Sequence, residues 1–253
     1  MAAATAAGGL VGHGIFASRS RLWGPLVWRG DASLPARVAL TFDDGPHPEA
    51  TPRTLDLLAK YGVRATFFVI GAQAGKWPEL VRRIVSEGHL LGNHSFSHTR
   101  WGGFGFTAYW SREIERTSRV IDEIAGVRPA WFRPPFGVKQ WHMHRAVRRA
   151  GNTMITFTGR ALDGLATTPE RIVARLVPGA AAGSILALHD GSVSTVDRPV
   201  KPTIEALPRV IEGLRARGLA IAPLDELIEA APYASPVSVE AAPAQTRAGA
   251  LNS

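Results

Sequence analysis

Two adjacent aspartates and two spaced histidines are the residues of this sequence best suited to chemistry. Asp43 and Asp44 follow the apolar run V-A-L-T-F, and His94 and His98 belong to the later segment N-H-S-F-S-H. One carboxylate and two imidazoles can bind a divalent metal, and the second carboxylate is then free to take a proton from a water on that metal. The set therefore predicts a metal-dependent hydrolase.

Each half of this set also has a simpler structural interpretation. An Asp-Asp-Gly-Pro run often forms only a turn, because aspartate side chains bond to nearby backbone amides and Gly and Pro supply turn dihedrals. A His-x3-His pair can be two solvated histidines, although its spacing brings both rings to one face of a helical turn or tight loop. Since each group follows a predicted strand, a metal site explains the combination better than coincidence does.

Length and composition bound the class of protein. The chain has 253 residues, 45% of them hydrophobic, so we expect one folded domain with one substantial core, acting as a monomer. The formal net charge of +8 comes mainly from arginines scattered along helix-like segments without interleaved aromatics, so no nucleic-acid partner is expected. The chain has no cysteine, so a metal would have histidine and carboxylate ligands.

The N-terminal segment M-A-A-A-T-A-A-G-G-L-V-G-H-G-I-F is unlike an export signal. It lacks a charged n-region and a continuous apolar h-region, and it is too short and glycine-rich for a membrane helix. We therefore expect no transmembrane segment, and these residues do not support export.

Strand-like and helix-like segments alternate from Arg37 onward. Strands are predicted near 37–42, 64–70, 130–132, 153–157, 184–188 and 219–222, with another leading into Gly92 and Asn93. Helices are predicted near 52–61, 78–87, 107–124, 144–149, 169–176 and 203–217. For the first helix, Thr51 is the expected N-cap and Gly62 the residue past its end.

Such alternation is typical of parallel strands covered by helices, in either an open doubly wound sheet or a closed α/β barrel. The polar candidates favour the barrel, because they follow different predicted strands and the C-terminal strand ends of a barrel share one rim. These candidates are Asp43, Asp44, His94, Arg133, Asp163 and His189.

Four motifs occur in order along the chain. They are T-F-D-D-G-P at Thr41 to Pro46, H-S-F-S-H at His94 to His98, R-P-P-F-G at Arg133 to Gly137, and L-H-D at Leu188 to Asp190. Their order resembles the NodB-like polysaccharide deacetylases, carbohydrate esterase family 4, over nearly all of the predicted domain. Any one motif would be a weak signal, whereas four in order are specific.

The resemblance implies a distorted (β/α) barrel of about seven parallel strands that removes acetyl groups from amino sugars. It implies Asp44, His94 and His98 as ligands of a divalent metal, usually Zn²⁺ with Co²⁺ as an alternative, and Asp43 as the general base. The chemistry agrees, because a metal lowers the pKa of its water and polarises the acetamide carbonyl while the base removes the proton.

Four further roles follow from the same resemblance. Arg133 would pair with the base Asp43, although a surface ion pair is the ordinary fate of an arginine. The backbone amide of Phe136 would help to hold the oxyanion. His189 would be the general acid that protonates the departing amine, and Asp163 would orient it and raise its pKa. Outside the resemblance, Asp163 could be an ordinary turn residue.

The chain departs from the family pattern at two positions. Gly164 stands where the family usually has a tryptophan, and Ala187 stands where it often has a leucine, both of which line the acetate pocket. The loss of two apolar walls should weaken the grip on the acetyl methyl by about 1–3 kcal/mol if nothing else fills the space. We therefore expect weaker acetate selectivity or room for a larger acyl group.

The expected substrate is an N-acetylated glycan such as peptidoglycan or a chitin-like oligomer. The alternatives are an amidase or deformylase, or an O-acetyl esterase, with an enlarged acyl pocket, and a non-catalytic glycan-binding relative. The family predicts a place in the cell envelope, and the N-terminus leaves the export route open. The particular glycan, the acyl group and the metal in the cell also stay open.

The division of the chain follows from these observations. Residues 1–36 are predicted to be an N-terminal extension, either loose or an extra layer on the barrel, and residues 37–230 the NodB-like catalytic domain. Residues 231–253, rich in Ala, Pro and Ser without periodicity, are predicted to be a disordered tail. Trp101 is a candidate for stacking on a sugar ring. The histidines without a partner set, which include His89 and His144, are expected to be surface residues or to make minor structural contacts.

Overall fold

The structure, a computed structural model, describes residues 12–32, 35–99, 106–191 and 201–234. Its strands pair in parallel and curl into a half-barrel in the order β5-β4-β3-β2-β1-β7-β6, while β8 pairs with the start of β1. The strands are β1 (Arg37–Asp43), β2 (Thr66–Val69), β3 (Leu90–Asn93), β4 (Trp131–Phe132), β5 (Thr153–Met154), β6 (Gly159–Arg160), β7 (Ser184–His189) and β8 (Ala220–Ile221). This confirms the predicted distorted (β/α) barrel.

The helices connect successive strands, as the alternation predicted. They are α1 (Ala50–Tyr61), α2 (Gly71–Lys76), α3 (Pro78–Ser86), α4 (Thr107–Ala125), α5 (Trp141–Arg149), α6 (Pro169–Leu176), α7 (Lys201–Ala216) and α8 (Leu224–Ile228), with a 3₁₀ turn at Pro135–Gly137. The short elements α2, β6 and α8 were not predicted, since segments this short carry little periodicity. Among the described helices, none combines the length and the apolar character that crossing a bilayer requires.

The central strand β1 is buried because its neighbours and helices cover it. Val38, Leu40 and Phe42 have no exposed surface, and the Phe42 ring stacks on Phe67 of β2 at 5.1 Å between centroids. Burying side chains of this size contributes about 1.5–3 kcal/mol each. The hydrophobic core thus fixes the direction and register of the strand that ends in Asp43.

The predicted N-cap at Thr51 is wrong. Helix α1 begins at Ala50 with Glu49 as its N-cap residue, and the Glu49 side chain makes no capping hydrogen bond. The Thr51 hydroxyl instead accepts from the N–H of His47 (2.8 Å) and donates to Asp190 (2.5 Å). A buried carboxylate elsewhere in the fold therefore takes this hydroxyl away from capping, whereas the expected C-terminal residue Gly62 does adopt a left-handed φ of 60°.

The chain on both sides of the barrel packs against it where it is described. Val27 forms a parallel bridge with Ile155, beside the edge strand β5. At the other end, Tyr233 pairs with Pro129, and its hydroxyl accepts from the N–H of Leu91. Residues 1–11 and 235–253, and also Trp101, lie outside the described residues, and the division into extension, domain and tail stays a prediction.

Of the two alternatives for His89 and His144, a surface position or a structural contact, the structure shows the second, since both are buried. The Nδ1 atom of His89 accepts from the N–H of Ala65, and His144 packs beneath Gly24 with its Nε2 atom lacking a partner within the described residues. Both positions lie on faces that receive chain from distant parts of the sequence, which local periodicity does not reveal. Burial, with the nearby Lys139 charge as a smaller cause, lowers the pKa of His144 from 6.5 to about 4.

We predict that His144 makes the fold less stable in acid. Because its folded pKa lies below its unfolded value, the unfolded chain binds more protons between about pH 6.5 and 4, so the free energy of unfolding falls as pH falls through that window. His144→Gln should lose less stability than the wild type over this range in urea unfolding, whereas the exposed His13→Gln should follow the wild type. Equal losses in all three proteins would contradict the prediction.

Candidate active site at the strand ends

The residues singled out in the sequence converge on one rim of the half-barrel. Strand register places Asp43 of β1 directly beside His189 of β7, and the chain leaving β3 and β4 brings further groups to the same edge. The structure brings together all eight predicted residues: Asp43, Asp44, His94, His98, Arg133, Phe136, Asp163 and His189. These convergent polar groups make the rim a candidate active site.

Asp44, His94 and His98 form a compact group of potential metal ligands. The Oδ1 atom of Asp44 lies 3.4 Å from Nε2 of His94 and 3.2 Å from Nε2 of His98, and all three side chains are buried. Two ligand atoms bound tetrahedrally at about 2.0–2.1 Å from zinc lie about 3.4 Å apart. The observed spacing of Asp44 from both imidazoles therefore fits a shared metal.

Hydrogen bonds and protonation states also suit metal binding. The Nδ1 atom of His94 lies 2.9 Å from the carbonyl oxygen of Arg133, and because a carbonyl only accepts, Nδ1 carries the hydrogen and Nε2 is left bare. Burial lowers the pKa of His98 to about 4 against the opposing effect of Asp44, so this imidazole is neutral at pH 7. Within the described residues the buried Oδ1 of Asp44 has no hydrogen-bond partner. A buried carboxylate oxygen without a hydrogen-bond partner is available to bind a metal ion.

A buried ion pair holds the second carboxylate. The Nη1 atom of Arg133 donates to Oδ1 of Asp43 and to the Thr41 hydroxyl, both at 2.7 Å, and Nη2 donates to the carbonyl of Thr156 at 3.3 Å. The guanidinium also lies 4.0 Å from the centroid of the Phe68 ring. Arginine with four such contacts is fixed in place, so it both neutralises and orients Asp43.

His189 and Asp163 form a second ion pair, which lies beside the potential metal ligand Asp44. One oxygen of Asp163 lies 2.6 Å from Nδ1 of His189, and the other accepts from the His189 N–H (2.9 Å) and from the Thr203 hydroxyl (2.7 Å). Burial lowers the pKa of His189, but Asp163 outweighs it and raises this pKa to about 10. The imidazole is thus protonated at pH 7, with Nε2 4.0 Å from Asp44.

The turn at Pro135–Gly137 presents a backbone N–H to this rim. Phe136 has a φ of 58° and Gly137 a φ of 69°, so two successive residues are left-handed, and the Phe136 N–H donates to no acceptor within the described part of the chain. Its ring, 47% exposed, lies 4.5 Å from the His98 ring between centroids. A free N–H in a strained turn beside metal ligands is suited to binding an oxyanion.

Sequence reasoning missed the residue that holds the histidine loop. The buried carboxylate of Glu113 on α4 accepts from the N–H groups of Phe96 (3.1 Å) and Ser97 (2.8 Å) and from the Ser97 hydroxyl (2.8 Å). These residues lie between the two histidine ligands, where His98 itself has a left-handed φ of 46°. The one available signal was a glutamate one position before Ile114, on the apolar face of a periodic helix.

Asp190 is a further buried carboxylate that the sequence left without a role. Its Oδ2 accepts from Thr51, its Oδ1 has no partner within the described residues, and a Cβ on Gly45 would lie 2.5 Å from both oxygens. Burial raises the pKa of Asp190 to about 7. The side chain thus packs against the turn that follows Asp44 and requires glycine there.

The two positions that depart from the family pattern also lie at this rim. A Cβ on Gly164 would meet no described atom closer than 3.8 Å, the nearest being Cε1 of His189. Ala187 is buried in β7, two residues before His189. Among the described atoms, a Cβ at position 164 would therefore be in ordinary van der Waals contact with His189, the predicted general acid.

Comparisons with known proteins agree with this arrangement. The polysaccharide deacetylase family model matches residues 31–155. A peptidoglycan-N-acetylglucosamine deacetylase of Bacillus cereus is 30% identical over 194 residues, which cover 77% of this chain and 69% of that protein. A chitooligosaccharide deacetylase of Bradyrhizobium sp. is 32% identical over 204 residues, which cover 78% of this chain and 93% of that protein. The crystal structure of a peptidoglycan N-acetylglucosamine deacetylase in complex with 4-naphthalen-1-yl-N-oxidanyl-benzamide matches with a TM-score of 0.76 at 27% identity, covering 83% of this chain and 95% of that one.

We predict that Glu113 supports zinc binding without being a ligand. Glu113→Gln removes the anionic acceptor that orders the loop between the histidines, so zinc affinity measured by isothermal titration should fall about 10–100-fold. Glu123→Gln, an exposed change on the same helix, should leave the affinity unchanged. Equal affinities of the Glu113 variant and the wild type would show that the loop holds its shape without this carboxylate.

Proposed function

Because the chain belongs to the polysaccharide deacetylase family, we propose that it removes N-acetyl groups from amino-sugar glycans with a divalent metal bound by Asp44, His94 and His98. The observation that carries the proposal is that two ion pairs, Asp43–Arg133 and His189–Asp163, lie beside this group of ligands. The first pair would supply a carboxylate as base, and the second an imidazolium as acid. The names of the relatives favour a glycan containing N-acetylglucosamine. A cell-wall glycan would place the protein in the cell envelope.

The metal we propose is Zn²⁺, with Co²⁺ as an alternative. Histidine nitrogens and a carboxylate suit either ion, and the chain has no thiolate to compete. When bound, the ion lowers the pKa of water and polarises the acetamide carbonyl. The remaining steps depend on side chains of the protein itself.

Asp43 is proposed to act as the general base. Arg133 donates to its Oδ1 and holds the carboxylate in place, so that its other oxygen, Oδ2, would take the proton from the attacking water. The attack places negative charge on the former carbonyl oxygen. The free Phe136 N–H would donate to that oxygen and stabilise the charge.

His189 is proposed to act as the general acid. Since Asp163 accepts from Nδ1, the proton on Nε2 is the one presented to the substrate. Donation of this proton to the amide nitrogen lets the carbon–nitrogen bond break, which releases acetate and the free amine of the sugar. The proposed base and acid therefore exchange protons with different atoms of the substrate.

A second candidate function is hydrolysis of amides with acyl groups larger than acetyl. The observation that favours it is that a Cβ placed on Gly164 would meet no described atom closer than 3.8 Å, the distance to His189. A non-catalytic glycan-binding relative is disfavoured, because binding alone does not need a paired base and a paired acid. Turnover and acyl selectivity can be tested separately.

We predict that Asp43→Asn removes activity while it leaves the metal site in place. Acetate release from a tetramer of N-acetylglucosamine should fall about 10²–10⁴-fold, the usual contribution of a general base, with zinc content unchanged. Removal of zinc with a chelator should abolish release by the wild type, and its restoration should recover it. Asp122→Asn, at an exposed position, serves as the control. Undiminished release by Asp43→Asn would exclude its role as the base.

We also predict a relaxed acyl preference. The kcat/KM values for N-acetyl and N-propionyl glucosamine oligomers should agree within about tenfold, which corresponds to about 1.4 kcal/mol and lies at the low end of the effect of one methylene in a fitted pocket. Gly164→Leu should restore a preference for acetyl by filling the space beside His189. A strict acetyl preference in the wild type would mean that other side chains close the pocket.

A further inference from the structure

Residues 12–30 precede the part of the chain that the family model matches, which begins at residue 31. They form hydrogen bonds with two segments next to the candidate site. The backbone carbonyls of three residues in this stretch, Ile15, Ala17 and Ser18, accept hydrogen bonds from the barrel. Farther along, Val27 donates to Met154 and accepts from Thr156, both through the backbone (2.9 and 2.8 Å). The stretch is therefore bonded along its length to chain that follows β4 and β5.

The strongest of these links involves Lys139, two residues beyond the Pro135–Gly137 turn. Its backbone N–H donates to the carbonyl of Ile15 (3.0 Å), and its Nζ donates to the carbonyl of Ala17 (2.7 Å). The residue has no exposed surface. The backbone and the side chain of Lys139 therefore both form hydrogen bonds with residues 15–17 of the N-terminal segment.

This lysine is an unfavourable choice for stability alone. Within the described residues it pairs with no carboxylate, and a buried charge whose partner is a neutral carbonyl is destabilising compared with an apolar side chain of similar size. Burial accordingly lowers the pKa of Lys139 to about 8. A methionine would fill the same space without that penalty, so the ammonium group needs another explanation.

The turn before Lys139 needs support from outside. Phe136 and Gly137 are both left-handed, and the bonds within the turn, Gly137 N–H to Pro134 and Val138 N–H to Pro135, are 3.1 Å long. A non-glycine residue in this conformation persists only where its surroundings over-determine it. The anchored Lys139 supplies such a restraint on one side of the turn.

We propose that Lys139 is a positioning residue that ties the Phe136 turn to residues 15–18, so that the N-terminal segment forms part of the active-site scaffold. This inference rests on the proposed function, in which the Phe136 N–H binds the oxyanion. A second link has the same character: the Thr156 hydroxyl donates to the carbonyl of Ser18 (2.7 Å), while the carbonyl of Thr156 accepts from Arg133. One segment therefore steadies both the oxyanion donor and the partner of the base.

The test compares Lys139→Met with the wild type in the full chain, with zinc bound. Methionine keeps the length of the side chain and removes the donor. With the N-acetylglucosamine tetramer as substrate, kcat should fall about tenfold or more with KM little changed, because the N–H is misplaced at the moment when charge develops. Zinc content should be unchanged. Hydrogen exchange at the Val138 and Lys139 amides should become faster, and the thermal unfolding temperature should be unchanged or higher.

Two further variants complete the design. Thr156→Val removes the link to Ser18 but keeps the backbone carbonyl that Arg133 uses, so it should also lower kcat, and it serves if Lys139→Met does not fold. Lys201→Met, at an exposed lysine of α7, is the matched control and should behave as the wild type. The exchange rates are measurable even if the tetramer is not hydrolysed, so failure of the proposed substrate is distinguishable from failure of this inference.

The opposite pattern overturns the proposal. If Lys139→Met lowers the unfolding temperature while kcat and the exchange rates at residues 138 and 139 stay the same, Lys139 merely stabilises the fold. If kcat and KM change together with a loss of zinc, the effect passes through the metal ligands and the positioning role is wrong.

Discussion

Two adjacent buried carboxylates at the end of β1 set the main electrostatic constraint on this structure. Asp43 and Asp44 are 5% and 8% exposed, and two negative charges this close to each other require separate compensation. The backbone separates them, because Asp44 adopts a φ of 73° and turns its side chain away from Asp43. Asp43 then receives a fully buried arginine, and Asp44 receives two imidazoles and, as we propose, a metal.

The position of the arginine follows from this constraint. Arg133 leaves the short strand β4, three strands away from β1 in the sheet, and reaches Asp43 only because the sheet curls. Its buried guanidinium needs acceptors and an apolar surface, which Thr41, Thr156 and the Phe68 ring provide. Curvature of the half-barrel and ionisation of the base are therefore linked: a flatter sheet would separate the two charges and leave each of them unpaired.

The chemistry of the site was largely predictable from sequence, while its supports were not. Asp44, His94 and His98 stand in short motifs where residue type and spacing carry the information, and the alternation of strands and helices predicted that their strand ends would meet. Thr51 has the right residue type for an N-cap, yet a bond to Asp190 about 140 residues away decides its role. Glu113 and Lys139 bond to backbone groups of other segments, and the sequence offers only one weak signal for them, the position of Glu113 on the apolar face of its helix. A local sequence pattern does not contain the tertiary contacts between distant segments.

Proton transfer and acyl recognition belong to different parts of this rim. The metal ligands and the base lie on the segments that leave β1 and β3, whereas Gly164 follows β6 and Ala187 lies within β7. Among the predicted catalytic groups, only His189 lies within 4 Å of a Cβ placed on Gly164. The atom that it presents there is the carbon Cε1, not either ring nitrogen. A side chain introduced at Gly164 would therefore change the space beside His189 while Asp163 still holds Nδ1 and Nε2 stays free to donate. The His189–Asp163 pair thus does not depend on a side chain at position 164, and we propose that acyl selectivity is set there, apart from the groups that would transfer protons.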